Sequence, residues 1–470
     1  MSSRSVLICL LFFSLCLPFK VIAQNRPVSL NAKNPHYFSY RGRPAVLITS
    51  GEHYGAVLNL DFDYVTYLDV LKANGLNLTR TFTGAYLEPA GAFSIASNTL
   101  APGPGRLICP WKRSDEAGYA GGGNKFDLSA WDPAYFARLK DFVAQAQKRG
   151  IIVELAFFCP FYDESQWKIS PMNAANNVNG IGNVESKNVY TLDKSGDLLA
   201  LHERLVKKIV AELQKYDNLI YEICNEPYFG GVTLDWQHHI AETVRQAEQG
   251  FKYPHLISQN IANNTLKIKD PHPAVSVFNF HYATPPVAVA DNYQLNKVIG
   301  DNETGFKGNA DETYRMQGWL FLLAGGALYN NLDYSFTPDR ENGTFQYPST
   351  QPGGGSVALR RQLSYLKDFM GGLDFVNMKP ELSFIKENFS GDAQVQALAG
   401  TGRQYAVYFC GEQKKDLDLE LPAGKYKVQW MNTLNGAWEG VQRIGHAGGA
   451  LKLTVPAYQA DIALRIDSVK

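Results

Sequence analysis

Hydrophobic and polar positions between about residues 43 and 375 alternate between two periods. Short continuous apolar runs, of the kind that form strands buried on both faces, recur at 44–49, 76–83, 151–158, 219–224, 256–259, 275–280, 297–300 and 326–332. Between several of them the spacing changes to a helical one. In 61–75, Tyr64, Leu68 and Leu71 share one helical face and Gly75 provides the stop. Asp132-Pro133 reads as an N-cap followed by proline in the first turn; Phe136, Leu139 and Val143 line the face, and Gly150 ends the segment. A third helix is predicted over 198–213. Eight strands with intervening helices predict a (β/α)8 TIM barrel. An open sheet built to bind a nucleotide would need a Gly-rich phosphate turn after the first strand; Gly51-Glu52-His53-Tyr54-Gly55 is not one.

After Pro380 the texture changes to short alternating runs at 394–398, 404–409, 417–421, 426–430, 451–455 and 461–466, separated by turns such as Pro422-Ala423-Gly424. This predicts a small antiparallel β-sandwich, either a carbohydrate-binding module or a prop for the barrel. The first 23 residues combine Arg4, an apolar core and small residues before position 24, which describe a signal peptide cleaved after Ala23. The expected organisation is therefore a signal peptide at 1–23, a catalytic barrel at 24–378 and a sandwich at 379–470, in a secreted or periplasmic protein. No later segment looks membrane-spanning.

The chain carries 45 basic and 45 acidic side chains. Near-neutrality argues against a nucleic-acid partner, whose phosphates demand a basic surface. Cys109, Cys159, Cys224 and Cys410 fit no zinc or redox spacing. A Cys109–Cys159 bridge is conceivable; free buried thiols are the plainer expectation. Two long connections, 88–132 and 160–196, follow strands, so they are expected to wall a cleft, with Trp111 and Trp167 as candidate sugar platforms. The adjacent His238-His239 sit on a predicted helix and point different ways, which makes them surface residues rather than a metal site.

The candidate chemistry lies in two phrases. Asn225-Glu226-Pro227 ends the fourth apolar run, and Glu303-Thr304-Gly305 ends the seventh. Carboxylates at the carboxyl ends of barrel strands stand where such folds place catalytic groups. Two of them are the minimum equipment for cleaving a glycosidic bond. Glu52 and His53 close the first strand and Asp333 the eighth, so all three are further candidates to touch substrate.

These motifs resemble glycoside hydrolase clan A, and among its members family 5-like retaining glycosidases. The resemblance implies Glu226 as acid/base, Glu303 as nucleophile and Asn225 as a partner of the sugar 2-hydroxyl. It further implies Arg80 as a buttress of the nucleophile and His281 as the strand-six histidine, with a carbohydrate substrate and no cofactor. Tyr282 would match the clan tyrosine, but it is adjacent to His281, and strand alternation should turn it from the site. Repulsion between the two carboxyls should raise the pKa of the acid. Glu222 and Cys224, deeper on the same strand face, are expected to fill the barrel. A tryptophan common at strand eight in the clan is missing from Tyr329-Asn330-Asn331-Leu332-Asp333-Tyr334, which leaves the sugar open. A non-catalytic glycan-binding barrel is the rival reading.

Overall fold

The computed structural model describes residues 26–469 except 349, 392 and 401; the expected signal peptide lies outside them. Eight strands follow one another: β1 (Leu47–Gly51), β2 (Leu78–Phe82), β3 (Ile152–Phe158), β4 (Leu219–Cys224), β5 (Leu256–Asn263), β6 (Val275–His281), β7 (Val298–Thr304) and β8 (Leu328–Leu332). They pair in parallel in the order β1-β8-β7-β6-β5-β4-β3-β2. The remaining seam, β1 against β2, is bridged by Asn77. Its side-chain amide donates to the Val46 carbonyl (2.9 Å) and accepts from the Ile48 amide (2.9 Å). The first apolar run proves to be two elements, because Arg43–Ala45 belongs to a small N-terminal sheet and the barrel strand starts at Leu47.

The main helices are α1 (Tyr64–Ala73), α2 (Pro133–Arg149), α3 (Leu198–Leu213), α4 (Leu234–Ala247), α5 (Asp311–Leu323) and α6 (Val357–Gly371). Caps fix their ends. Asp132 accepts from the Ala134 amide, and Gly150 adopts φ +72°, the left-handed conformation that closes α2. In α1 the cap is Asp63, two residues inside the expected start, because Asp63 and not Asp61 reaches the Val65 and Thr66 amides. β5 and β6 are joined without a helix among the described residues.

Beyond the barrel, β9 (Lys379–Pro380), β10 (Gln394–Gly400), β11 (Gln404–Cys410), β12 (Asp416–Leu421), β13 (Gly424–Asn432), β14 (Trp438–His446), β15 (Gly449–Thr454) and β16 (Asp461–Ser468) are antiparallel. Six form one sheet in the order β9-β10-β11-β16-β13-β14, and β12 pairs with β15. Strand alternation gives the large sheet two apolar faces. Tyr405, Val407 and Phe409 pack under the β12–β15 ribbon with Trp430, whereas Ala406, Tyr408 and Cys410 join the barrel core. Tyr408 stacks on Trp319 of α5 at 5.4 Å, and buried Arg315 of α5 pairs with Asp461 at 2.6 Å. One face of the sheet is thus committed to the barrel.

Candidate active site

Strand ends aim the site. Glu226 and Glu303 leave the C-terminal ends of β4 and β7 and are only 7% and 6% exposed. One oxygen of each, together with a ring nitrogen of His281, lie within 4.8 Å of one another. His281 Nδ1 is 3.2 Å from Glu226 Oε1 and 3.6 Å from Glu303 Oε1. These three groups could in principle hold a cation, but an arginine already occupies the approach to Glu303.

That arginine is Arg80, buried on β2. Its Nη1 donates to Glu303 Oε2 at 3.1 Å, and its Nη2 donates to Asn225 Oδ1 at 2.7 Å. From below, Glu222 takes Nε (2.7 Å) and the other face of Nη2. Glu222 does fill the barrel as expected, and it also anchors the guanidinium. Glu303 receives two further donors, the hydroxyls of Tyr54 (3.0 Å, Oε2) and Tyr282 (2.8 Å, Oε1).

The expectation that Tyr282 would turn away is overturned. Its φ of +54° breaks strand alternation immediately after β6 and swings the ring back over Glu303. Tyr54 and Glu226 share the device, at φ +68° and +33°. Non-glycine residues in this region cost about 1–3 kcal/mol each, and here all three place a polar group on the reacting pair.

Glu226 is embraced by hydroxyls. Tyr162 donates to its Oε2 at 2.5 Å, and Tyr228 donates to its Oε1 at 3.1 Å. Asn225 Nδ2 in turn donates to the Tyr162 oxygen at 3.0 Å. Burial pushes the Glu226 carboxyl up, but the hydrogen bond and charge of His281 and the two tyrosines outweigh it, and its pKa falls below the ordinary value. The free site therefore does not show the raised acid expected from repulsion between the carboxyls. For His281, burial pulls the pKa down, while the charge of Glu303 and the contact with Glu226 outweigh it and raise it. The two shifts favour a proton on the imidazole between the pair over one on Glu226.

Above these groups is a pocket of about 240 Å³, lined by Asn225, Glu226, Glu303, Tyr282 and an aromatic rim of Phe93, Phe229 and Phe306. His53 also lines it. Four expected contacts do not. Glu52 points into the turn that follows β1, accepting from the Gly55 and Ala56 amides (3.1 and 3.2 Å) and from Thr99 Oγ1 (2.8 Å). Asp333 is buried in an ion pair with Arg360 (2.5 Å) and accepts from Ser50 Oγ (2.8 Å). Trp111 and Trp167 are 1% and 2% exposed. They are cores of their own loops, Trp167 donating to the Val184 carbonyl at 2.9 Å. The loops do wall the pocket, but through Phe93, Leu100 and Tyr162. The four cysteines among the described residues are free and buried, and His239 pairs with Glu203 on the helical surface (2.9 Å).

Three residues were not anticipated from sequence: Tyr54, Tyr162 and Tyr228. Each lies within a few residues of a strand end, and Tyr228 directly follows Asn225-Glu226-Pro227; that proximity is the signal they carried.

Residues 106–309, which include both glutamates, match the family model for cellulase (glycosyl hydrolase family 5). Comparison with curated proteins finds no match. Among solved structures, a Bacteroides vulgatus protein provisionally assigned as a glycoside hydrolase superposes with a TM-score of 0.67 at 15% identity, over 95% of this chain and 83% of that one. A glycoside hydrolase family 5 protein from the same species gives 0.63 at 13% identity, over 94% and 93%. A variant of a family 5 mannosidase from Rhizomucor miehei gives 0.50 at 11%, over 72% and 97%. At such identities the likeness establishes the fold; the match of the segment that holds the paired glutamates carries the chemistry. The barrel thus contains a segment similar to glycosyl hydrolase family 5, and the enzyme class this supports is glycoside hydrolase.

Proposed function

We propose that the protein is an exported, retaining glycosidase that cleaves a poly- or oligosaccharide by double displacement. The observation that carries this reading is the approach of Glu226, His281 and Glu303 ligand atoms to within 4.8 Å. Retaining enzymes hold their carboxyls about 5–5.5 Å apart, whereas inverting ones leave about 6.5–9.5 Å for a water.

In the first step Glu303 attacks the anomeric carbon while Glu226 protonates the departing oxygen. The glycosidic bond breaks and a glycosyl ester to Glu303 forms. In the second step water, deprotonated by Glu226, attacks the same carbon and releases Glu303. Arg80, Tyr54 and Tyr282 hold the attacking carboxylate in one orientation, which is most of what a positioned nucleophile needs. The proton for the first step starts on His281, one hydrogen bond from Glu226. A substrate oxygen that displaces the tyrosine hydroxyls removes their stabilisation of the Glu226 carboxylate and draws that proton across. Asn225 meets the sugar 2-hydroxyl, a contact that strengthens as positive charge develops in the ring. The leader sequence directs export, and the C-terminal sheet serves as a prop.

Hydrolysis of a panel of polysaccharides and aryl glycosides, followed by NMR of the first-formed sugar, tests this. Net retention of anomeric configuration is expected, and inversion would sink the mechanism. Glycan binding without turnover, by the wild type and Glu303→Gln alike, would favour the non-catalytic reading.

A further inference from the structure

The two glutamates divide the pocket. Tyr54 and Arg80, which hold Glu303, come from the ends of β1 and β2. Tyr162 and Tyr228, which hold Glu226, come from the segments after β3 and β4. An anomeric carbon over Glu303 with its leaving oxygen at Glu226 therefore puts the body of the attacked sugar toward β1 and β2.

What lines the pocket there is His53, directly after β1, and Glu88, in the connection after β2. His53 Nε2 stands 3.6 Å from Glu88 Oε2, too far for a hydrogen bond. Neither ring nitrogen of His53 finds a hydrogen-bond partner among the described residues. The imidazole is nevertheless fixed, between Tyr54 and Tyr334 with both centroids 5.5 Å away. Glu88, 5% exposed, is fixed as well: the Tyr86 hydroxyl donates to Oε1 at 3.0 Å, and Asn98 Nδ2 donates to Oε2. Burial pulls the His53 pKa down, but the contact with Glu88 and the charges of Glu303 and Glu52 outweigh it and raise it. So the imidazole stands as a donor beside an acceptor.

Buried polar groups ordinarily have partners, and one without them calls for an explanation. A rigid donor and a rigid acceptor side by side match two adjacent ring hydroxyls, one accepting from His53 and the other donating to Glu88. Resting on the glycosidase reading above, we propose that His53 and Glu88 recognise two free, neighbouring hydroxyls of the attacked sugar and so decide which sugar the pocket accepts. Neither residue is needed for the bond-breaking steps themselves. Their contribution is to choose the sugar and seat it over Glu303. A sugar with one of the two hydroxyls inverted would leave the imidazole or the carboxylate unpaired, a penalty of the kind that makes sites built for hydroxyls selective.

The test is a set of double-mutant cycles between protein and sugar. kcat/KM is measured for p-nitrophenyl glucoside, galactoside, mannoside and xyloside. The accepted glycoside is then re-measured with each ring hydroxyl replaced in turn by hydrogen. Wild type, His53→Ala and Glu88→Gln are compared, with Glu303→Gln as the control for the site. For the wild type, removing either of two neighbouring hydroxyls should cost about 10- to 100-fold, the worth of a hydrogen bond to a charged group. His53→Ala should lose its sensitivity to one of these hydroxyls and Glu88→Gln to the other. Losses that simply add, with every hydroxyl mattering as much in the variants as in the wild type, would overturn the proposal and leave the glycosidase reading intact. Glycoside cleavage that persists in Glu303→Gln, or no cleavage of any glycoside by the wild type, would overturn both. Glu88→Gln keeps the size of the side chain and one acceptor oxygen, enough for the contact with Asn98, so a folded variant is at hand if His53→Ala melts early.

Discussion

Both glutamates accept from two tyrosine hydroxyls, but Glu303 is held in addition by a guanidinium and Glu226 by an imidazole. Beneath Glu303, Arg80 is clamped by Glu222, which also receives Asn260 (3.2 Å) and Asn302 (3.1 Å). Alongside, buried Glu154 receives Ser258 (2.7 Å), Asn279 (2.7 Å) and Asn302 (3.1 Å). This polar layer fills the barrel where aliphatic side chains would ordinarily interdigitate. Among the described residues the Glu226 carboxyl takes its hydrogen bonds from Tyr162, Tyr228 and the shared His281. The difference follows the two jobs. A nucleophile must hold its orientation through both steps, and a guanidinium that never loses its proton can enforce that. An acid/base must gain and lose a proton each turnover, so its neighbours have to be groups that can follow.

The largest expected effects separate the two carboxylates outright. Glu303→Ala should lower kcat by at least about 10⁴-fold, as removal of a nucleophile does in other covalent enzymes. Azide, small enough for the space left behind, should restore turnover and yield a glycosyl azide of inverted configuration. Glu226→Ala should cost about 10²–10⁴-fold on sugars with poor leaving groups, the range of general acid catalysis. It should cost little on dinitrophenyl glycosides, whose leaving group needs no proton. A Brønsted plot against leaving-group pKa for both variants is the measurement. Two parallel plots would erase the proposed division of labour.

How much of this was written in the sequence follows from what sequence periodicity can report. The barrel strands were legible because each is an apolar run buried on both faces, and α2 because Asp132, Pro133 and Gly150 mark its ends. β14 was not legible. It lies at the sheet edge with most of its side chains exposed, so it has no apolar period to read. The paired glutamates, Asn225 and His281 were legible as strand-end residues of a known pattern, and Arg80 as the arginine of its second strand. The tyrosines were not, because Tyr54 and Tyr282 reach Glu303 through positive φ angles, and no residue pattern announces those for a side chain other than glycine. Trp111 and Trp167 erred the other way. An aromatic in a long loop fits a platform and a loop core equally well, and here the loops use their tryptophans to hold themselves together.

Next in size is the clamp itself. Arg80→Lys keeps the charge but cannot serve Glu222, Asn225 and Glu303 at once, since an ammonium lacks the planar fork. Breaking such a buried network should cost about 3–5 kcal/mol of stability, read by denaturant unfolding, together with a fall in kcat at unchanged leaving-group dependence. A loss of stability with kcat preserved would show that the clamp supports the barrel and not the nucleophile.

The smallest effect concerns pH and lies on the Glu226 side. His281 has a raised pKa in the folded protein, so its protonated form is favoured by folding. That contribution to stability is complete below the ordinary histidine value of 6.5 and is lost as pH rises through the higher folded value. Activity should follow the same proton, because the first step draws on it. The alkaline limb of kcat/KM is therefore expected above 6.5, reporting the Glu226–His281 pair rather than either residue alone. His281→Asn, which cannot hold the proton, should leave Glu226 to titrate by itself. With the imidazole's charge gone, the first influence left on that carboxyl is burial, which pushes its pKa up. The variant's limb should consequently track a carboxylic acid and not an imidazole, a distinction the heat of ionisation makes directly. An unchanged limb in His281→Asn would mean that the proton never resided on the imidazole, and that the hydroxyls around Glu226 act alone.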